Sequence, residues 1–169
     1  MNIGRFIKSK QQALLIRIFS RVNLPNWKLI FIGEGEYREQ CVNLIESLSL
    51  KDRVEFHDST KNIAAFYQRA SVFAFTSSSE GFPNALAEAM LAGCACISFD
   101  CVAGPSDIIQ DGKNGFLVPL NNETEFEHKL HQLMKDELLR KSFVTKAKEL
   151  DVTMGETSIV NAYHQLLIS

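Results

Sequence analysis

Val72-Phe73-Ala74-Phe75-Thr76-Ser77-Ser78-Ser79-Glu80-Gly81-Phe82-Pro83-Asn84-Ala85-Leu86-Ala87-Glu88-Ala89-Met90 reads as an apolar strand, a polar turn and a helix. Val72–Phe75 is apolar without alternation, so both faces of this strand must be covered. Pro83 fits the first turn of the helix, where its missing N–H costs nothing. Gly81 lets the backbone come close to a ligand. The free N–H groups near Asn84, Ala85 and Leu86 then face the strand ends, ready for phosphate oxygens. Glu88 lies further along the same helix among Ala85, Leu86, Ala87, Ala89 and Met90, and a carboxylate in such a setting needs a partner. The vicinal hydroxyls of a ribose suit it, because a carboxylate accepts two hydrogen bonds at once. An ordinary helix with an N-terminal acid and one surface acid is the competing reading.

The same alternation extends in both directions. Ile3–Phe6, Lys28–Ile32, Val54–His57, Ala95–Phe99 and Phe116–Val118 are further apolar runs with strand character. Between them Leu14, Leu15, Ile18, Phe19 and Val22 share a helical face, as do Cys41, Leu44, Ile45 and Leu48, and Ile63, Phe66, Tyr67 and Ala70. Gly104-Pro105 opens another helix, and Thr124 with Glu127 three residues on reads as a capping box. Ile159, Tyr163, Leu166 and Leu167 predict a last helix over 156–169. Strand–helix alternation with continuous apolar strands predicts an α/β fold: a doubly wound, Rossmann-like parallel sheet of about six strands with helices on both faces. Residues 1–169 form one domain, with no repeat, linker or low-complexity tract.

Composition supports this and excludes other classes. The chain has 169 residues, 46% hydrophobic and 22% charged, with formal net charge −2. Such a chain buries its own core, and disorder is not expected. Nothing supplies the basic excess of a nucleic-acid binder. The longest apolar run, Met90 to Phe99, is short of the roughly 20 residues of a membrane span. The first ten residues do not read as a signal peptide. Cys41, Cys94, Cys96 and Cys101 form no C-x-x-C pair, and no histidine stands at zinc-ligand spacing from them, so they read as free thiols in a cytosolic protein.

In a doubly wound sheet ligands lie beyond the carboxyl ends of the strands. After the first strand stand Arg5 and Lys10, which suit an anion but also read as solvated surface cations. After the second, Gly33-Glu34-Gly35-Glu36 begins like a dinucleotide fingerprint. Arg38 occupies the third glycine position, and two glutamates oppose a pyrophosphate, so NAD is excluded. The glycines there allow a tight turn and close approach of another body, and the two acids fit the first turn of a helix. Gly112-Lys113-Asn114-Gly115 is a structural turn. His57 ends a strand and is a candidate site residue, whereas His128, His131 and His164 lie on helices and read as solvated. No G-x-S-x-G elbow and no D-x-D metal motif occur.

Glu80 and Glu88 bracket seven residues in an E-x7-E pattern, followed by Gly93. With Gly4-Arg5-Phe6 and Lys10 upstream and Asp111 to Val118 downstream, the chain resembles the C-terminal, nucleotide-sugar-binding half of a retaining GT-B glycosyltransferase of glycosyltransferase family 4. Asp100-Cys101 with Gly104-Pro105 further resembles bacterial enzymes of capsule, lipopolysaccharide or protein-linked glycan assembly.

The resemblance implies roles. Arg5 and Lys10 would neutralise the donor diphosphate. Glu80 would meet the donor sugar's hydroxyls beside the amides of Gly81 and Phe82. Asn84, Ala85 and Leu86 would face phosphate, and Glu88 would hold the ribose. The donor would be a UDP-sugar carrying a hexose or N-acetylhexosamine, the acceptor a glycan or lipid-linked glycan held by a preceding domain, and no metal or other cofactor would be needed. The C-terminal helix would pack toward that domain. The full enzyme would be cytoplasmic, peripheral at the inner face of the membrane. A nucleotide-sugar-binding module with no activity alone, or a subunit completed by another chain, is the alternative. The sequence departs from the family pattern at Gln11, where glycine is usual, at His57-Asp58, at Ala95 and at Asp107.

Overall fold

A computed structural model describes residues 1–102 and 104–153, with side chains described as far as residue 148. Six parallel strands appear among the described residues: β1 (Asn2–Ile3), β2 (Leu29–Ile32), β3 (Val54–His57), β4 (Val72–Phe75), β5 (Ala95–Asp100) and β6 (Gly115–Pro119). They alternate with α1 (Gln12–Arg21), α2 (Arg38–Ser47), α3 (Ile63–Arg69), α4 (Asn84–Leu91), α5 (Pro105–Ile108), α6 (Glu123–Lys135) and α7 (Glu137–Thr153), with a short 3-10 turn at Lys8–Lys10 before α1. No helix among the described residues is long and apolar enough to cross a membrane. The expected helix over 156–169 lies outside the described residues.

The strands pair as two three-stranded sheets, β1-β2-β3 and β4-β5-β6. They meet edge to edge at β1 and β4. The Ala74 N–H donates to the Met1 carbonyl at 2.9 Å, and the buried Asn2 amide donates to the Ala74 carbonyl at 2.8 Å. The resulting order is β3-β2-β1-β4-β5-β6, in which the chain reverses direction across the sheet between β1 and β4. That reversal is where a doubly wound sheet opens a crevice at its carboxyl edge.

Both faces are covered, as unbroken apolar strands require. Successive side chains of a strand point to opposite faces. Val72 and Ala74 of β4, with Ala95, Ile97 and Phe99 of β5, join one core with Leu15, Phe19, Phe31, Phe126 and Leu130. Phe73 and Phe75, with Cys94 and Cys96, join the other with Tyr67, Leu86 and Met90. Each fully buried side chain such as Phe73 or Phe99 contributes about 1.5–3 kcal/mol. The four cysteines are free and buried. Burial pushes the Cys41 and Cys94 thiols up to about 11, so they stay protonated core groups at neutral pH.

Local chemistry corrects several expectations. The first strand is shorter than Ile3–Phe6: beyond Ile3 the pairing continues irregularly, with Gly4 N–H on the Ile32 carbonyl and Phe6 N–H on the Glu34 carbonyl. The helix α6 is capped by Asn122, not Thr124: its side chain accepts from the Glu125 N–H at 3.2 Å and donates to the Glu125 carboxylate at 2.8 Å. Asparagine outranks threonine as a cap, which moves the box two residues upstream. Pro83 is the residue before α4, not within its first turn. Glu34 and Glu36 precede α2, which starts at Arg38 with Glu39 as its first-turn acid. The helix α7 had no counterpart in the sequence reading.

Candidate functional site

The loops after β1 and β4 lie side by side because their strands do, and several contacts stitch them together. The Ser78 N–H donates to the Ser9 carbonyl at 2.7 Å, and the buried Thr76 hydroxyl donates to the Lys10 carbonyl at 3.0 Å. Lys10 thereby has its backbone fixed, while its stem lies over Gly4, within 4 Å of where a Cβ would stand. Its ammonium lies 5.6 Å from the centroid of the Phe75 ring and 2.5 Å from Glu80 Oε1. The side chains of Lys10 and Glu80 are only 21% and 11% exposed, so the pair is held in partly desolvated surroundings. Two residues 70 positions apart, each singled out from sequence, form one ion pair at the crevice.

Arg5 is exposed in the same loop. Its carbonyl accepts from the Ile7 N–H and the Gln12 side chain, both at 3.0 Å, which pins the backbone. No side chain among the described residues pairs with its guanidinium. Gln11, where glycine is usual in the resembled family, adopts a left-handed conformation at φ 52°. Glutamine tolerates that at a cost of about 1–2 kcal/mol.

Gly81 is open, with nothing within 4 Å of an added Cβ, and Phe82 is 40% exposed. At the start of α4 fewer amides are free than the sequence predicts. The Asn84 N–H is taken by the Phe82 carbonyl and the Leu86 N–H by the Pro83 carbonyl. Both bonds follow from Pro83 ending the turn one residue early. The amides left free at this turn, without a main-chain partner, are thus those of Gly81, Phe82 and Ala85 among the described residues.

Glu88, half-buried in the second turn of α4, has found a partner within the protein. The Tyr67 hydroxyl donates to Glu88 Oε2 at 2.8 Å. Burial, and then the nearby Glu88 charge, push the Tyr67 ionisation far up. In the sequence Tyr67 reads as part of the buried face of α3. A buried tyrosine hydroxyl needs an acceptor, and both the Ala85 carbonyl and Glu88 lie within its reach.

Other candidates lie elsewhere. His57 packs its ring against Phe66 at 4.9 Å and approaches Glu55 at 3.6 Å. Asp58 pairs with Arg38 at 2.8 Å. His128 is exposed and His131 half-buried on α6. The Cys94 thiol donates to the Tyr67 and Ala70 carbonyls at 3.4 Å, as a packed core group does. The glycines after β2 serve internal packing, since a Cβ on Gly33 would stand 2.2 Å from the Gly4 carbonyl oxygen. Asp111 accepts from the Leu117 N–H at 2.9 Å and pairs with Lys129 at 3.1 Å, which makes the turn at residues 112–115 structural.

Comparison with known proteins agrees with this geometry. Residues 1–150 match the family described as glycosyl transferases group 1. A Campylobacter jejuni relative, N-acetylgalactosamine-N,N'-diacetylbacillosaminyl-diphospho-undecaprenol 4-alpha-N-acetylgalactosaminyltransferase, is 33% identical over 148 residues, covering 88% of this chain and 40% of its own. The structure of TarM from S. aureus, in complex with fondaparinux, alpha-GlcNAc-glycerol and UDP, superposes with a TM-score of 0.88 at 29% identity, covering 99% of this chain and 35% of its own. The C-terminal domain of a glycosyl transferase group 1 family protein, LpcC from Francisella tularensis, superposes with a TM-score of 0.80 at 26% identity, covering 90% of this chain and 83% of its own. The chain spans about half the length, or less, of the curated relatives it matches. With the switch-point crevice, the E-x7-E helix and these matches together, the chain belongs to the glycosyl transferases group 1 family and has the fold of its C-terminal GT-B domain.

Proposed function

We propose that the chain is the donor-binding half of a retaining glycosyltransferase, moving a hexose or N-acetylhexosamine from a UDP-sugar to a glycan or lipid-linked acceptor. The observation that carries this is the Lys10–Glu80 pair at the switch point, flanked by the open amides of Gly81, Phe82 and Ala85. UDP in the TarM structure and the sugar named in the Campylobacter relative support the donor class.

In this reading the difficult charge develops on the departing diphosphate. Arg5, Lys10 and the N-terminus of α4 stabilise it as it forms, which is the differential binding that catalysis requires. These cationic groups take the part a metal ion plays elsewhere. Glu80 exchanges Lys10 for the hydroxyls of the donor sugar and orients it. Glu88 holds the ribose. The sugar leaves with its anomeric configuration kept, through a front-face route in which the leaving phosphate assists the acceptor hydroxyl. The acceptor is held by a further domain outside these 169 residues, and the full enzyme is peripheral at the cytoplasmic face of a membrane.

A second reading is favoured by the share of its relatives that the chain spans: a nucleotide-sugar-binding module without turnover of its own, or a subunit completed by another chain. Calorimetric titration of UDP, with donor hydrolysis assayed on the same sample, separates them. Binding with hydrolysis supports an active half-enzyme, binding without hydrolysis supports the module, and no UDP binding removes both.

A further inference from the structure

Glu88 is a long, flexible side chain on a helix, and three dihedral angles must be fixed before its carboxylate can meet a ligand in one geometry. The structure supplies the fixing group from a different element. Tyr67, on α3 and 2% exposed, has its ring held 6.0 Å from Phe73 and its carbonyl bonded by the Cys94 thiol. It is a rigid post. Its hydroxyl has two acceptors in range, the Ala85 carbonyl at 3.3 Å and Glu88 Oε2 at 2.8 Å. A tyrosine that needed only to satisfy a buried hydroxyl would be served by the carbonyl, yet the shorter contact is to the carboxylate.

We infer that Tyr67 is a positioning residue that holds the Glu88 carboxylate in the orientation that receives the two ribose hydroxyls of the donor nucleotide. This rests on the reading of Glu88 as the ribose acid. The lone-pair count agrees. A carboxylate has about four acceptor sites, and one bond from Tyr67 leaves Oε1 and one site on Oε2, enough for two vicinal hydroxyls. The donor stays a donor, because burial and the adjacent negative charge keep the phenol protonated. Tyr67 itself touches no substrate.

The test uses the 169-residue chain, calorimetry, and two probes, UDP and 2′,3′-dideoxy-UDP. Tyr67→Phe is expected to weaken UDP binding about tenfold, as loss of a charge-assisted hydrogen bond does, and to leave dideoxy-UDP binding unchanged. In a Glu88→Gln background the same change is expected to add nothing. Equal UDP affinity in wild type and Tyr67→Phe, or equal losses for both nucleotides, overturns the inference and leaves Tyr67 as packing. If Glu88→Gln weakens UDP while Tyr67→Phe does not, only this inference falls. If Glu88→Gln changes nothing, the ribose role falls and takes the inference with it. A crystal structure of the wild-type chain with UDP gives an independent check that needs no variant to fold. The Tyr67–Glu88 bond should persist with ribose hydroxyls on the carboxylate, and a Glu88 swung away from Tyr67 to reach the ribose overturns it.

Discussion

The loops after β2 and β4 look alike as sequence, since each sets glycine beside glutamate at the carboxyl end of an apolar strand. The structure uses them in opposite ways. At Gly33 and Gly35 an added Cβ would stand 2.2 and 2.4 Å from the carbonyl oxygens of Gly4 and Phe6, so the missing side chains are filled by the neighbouring loop. At Gly81 an added Cβ meets nothing within 4 Å. Glycine in the first loop serves packing, whereas glycine in the second borders open space.

That contrast can be broken by measurement. Gly33→Ala should have the largest effect, because its Cβ meets backbone that cannot yield and its φ of +143° is strained for any side chain. The expected loss is about 3 kcal/mol or more, read as a melting temperature about 6–12 °C lower. An unchanged melting curve would erase the distinction between the loops. Lys10→Ala and Arg5→Ala, each in the full enzyme, should come next, lowering turnover at least tenfold, since each 1.36 kcal/mol of barrier is worth that factor. Near-normal turnover in both would remove the diphosphate role. The smallest effect belongs to Gly81→Ala, expected to shift stability by no more than about 0.5 kcal/mol. A melting temperature lowered by several degrees would mean that this loop too is closed by packing.

Much of the scaffold was legible because it rests on local pattern. β4 matches its apolar run residue for residue, since continuous Val, Phe and Ala admit only a strand covered on both sides, and β3, Val54-Glu55-Phe56-His57, matches in extent while alternating and only partly buried. The positions of Lys10, Glu80 and Glu88 near the carboxyl edge followed from the same alternation. Their pairing did not. Lys10 meets Glu80 only because β1 lies beside β4, and adjacency of strands is set by the whole sheet rather than by either segment.

The helix α7 is hard to read in the sequence for a different reason. Leu139, Phe143 and Ala147 recur at i, i+4, but Leu138 beside them is 79% exposed and the stripe is divided, with Leu139 and Phe143 on one core and Ala147 in the other. Its visible signal was the cap, Asp136 accepting from the Leu139 N–H at 2.9 Å. The free amides at α4 differ from the sequence expectation because a one-residue displacement of Pro83 decides which N–H groups are already bonded.

The Lys10–Glu80 ion pair has a consequence for selectivity. Within the protein the Lys10 ammonium is already neutralised by Glu80, so an anion must compete with a carboxylate for it. A lone phosphate that draws Lys10 away leaves a partly buried carboxylate unpaired, at a cost that offsets the gain. A molecule carrying both a negative group and hydroxyl donors replaces both halves of the pair in one event. On the proposed reading the pair would act as a coincidence detector, favouring a donor that presents charge and hydroxyls together over a small anion alone.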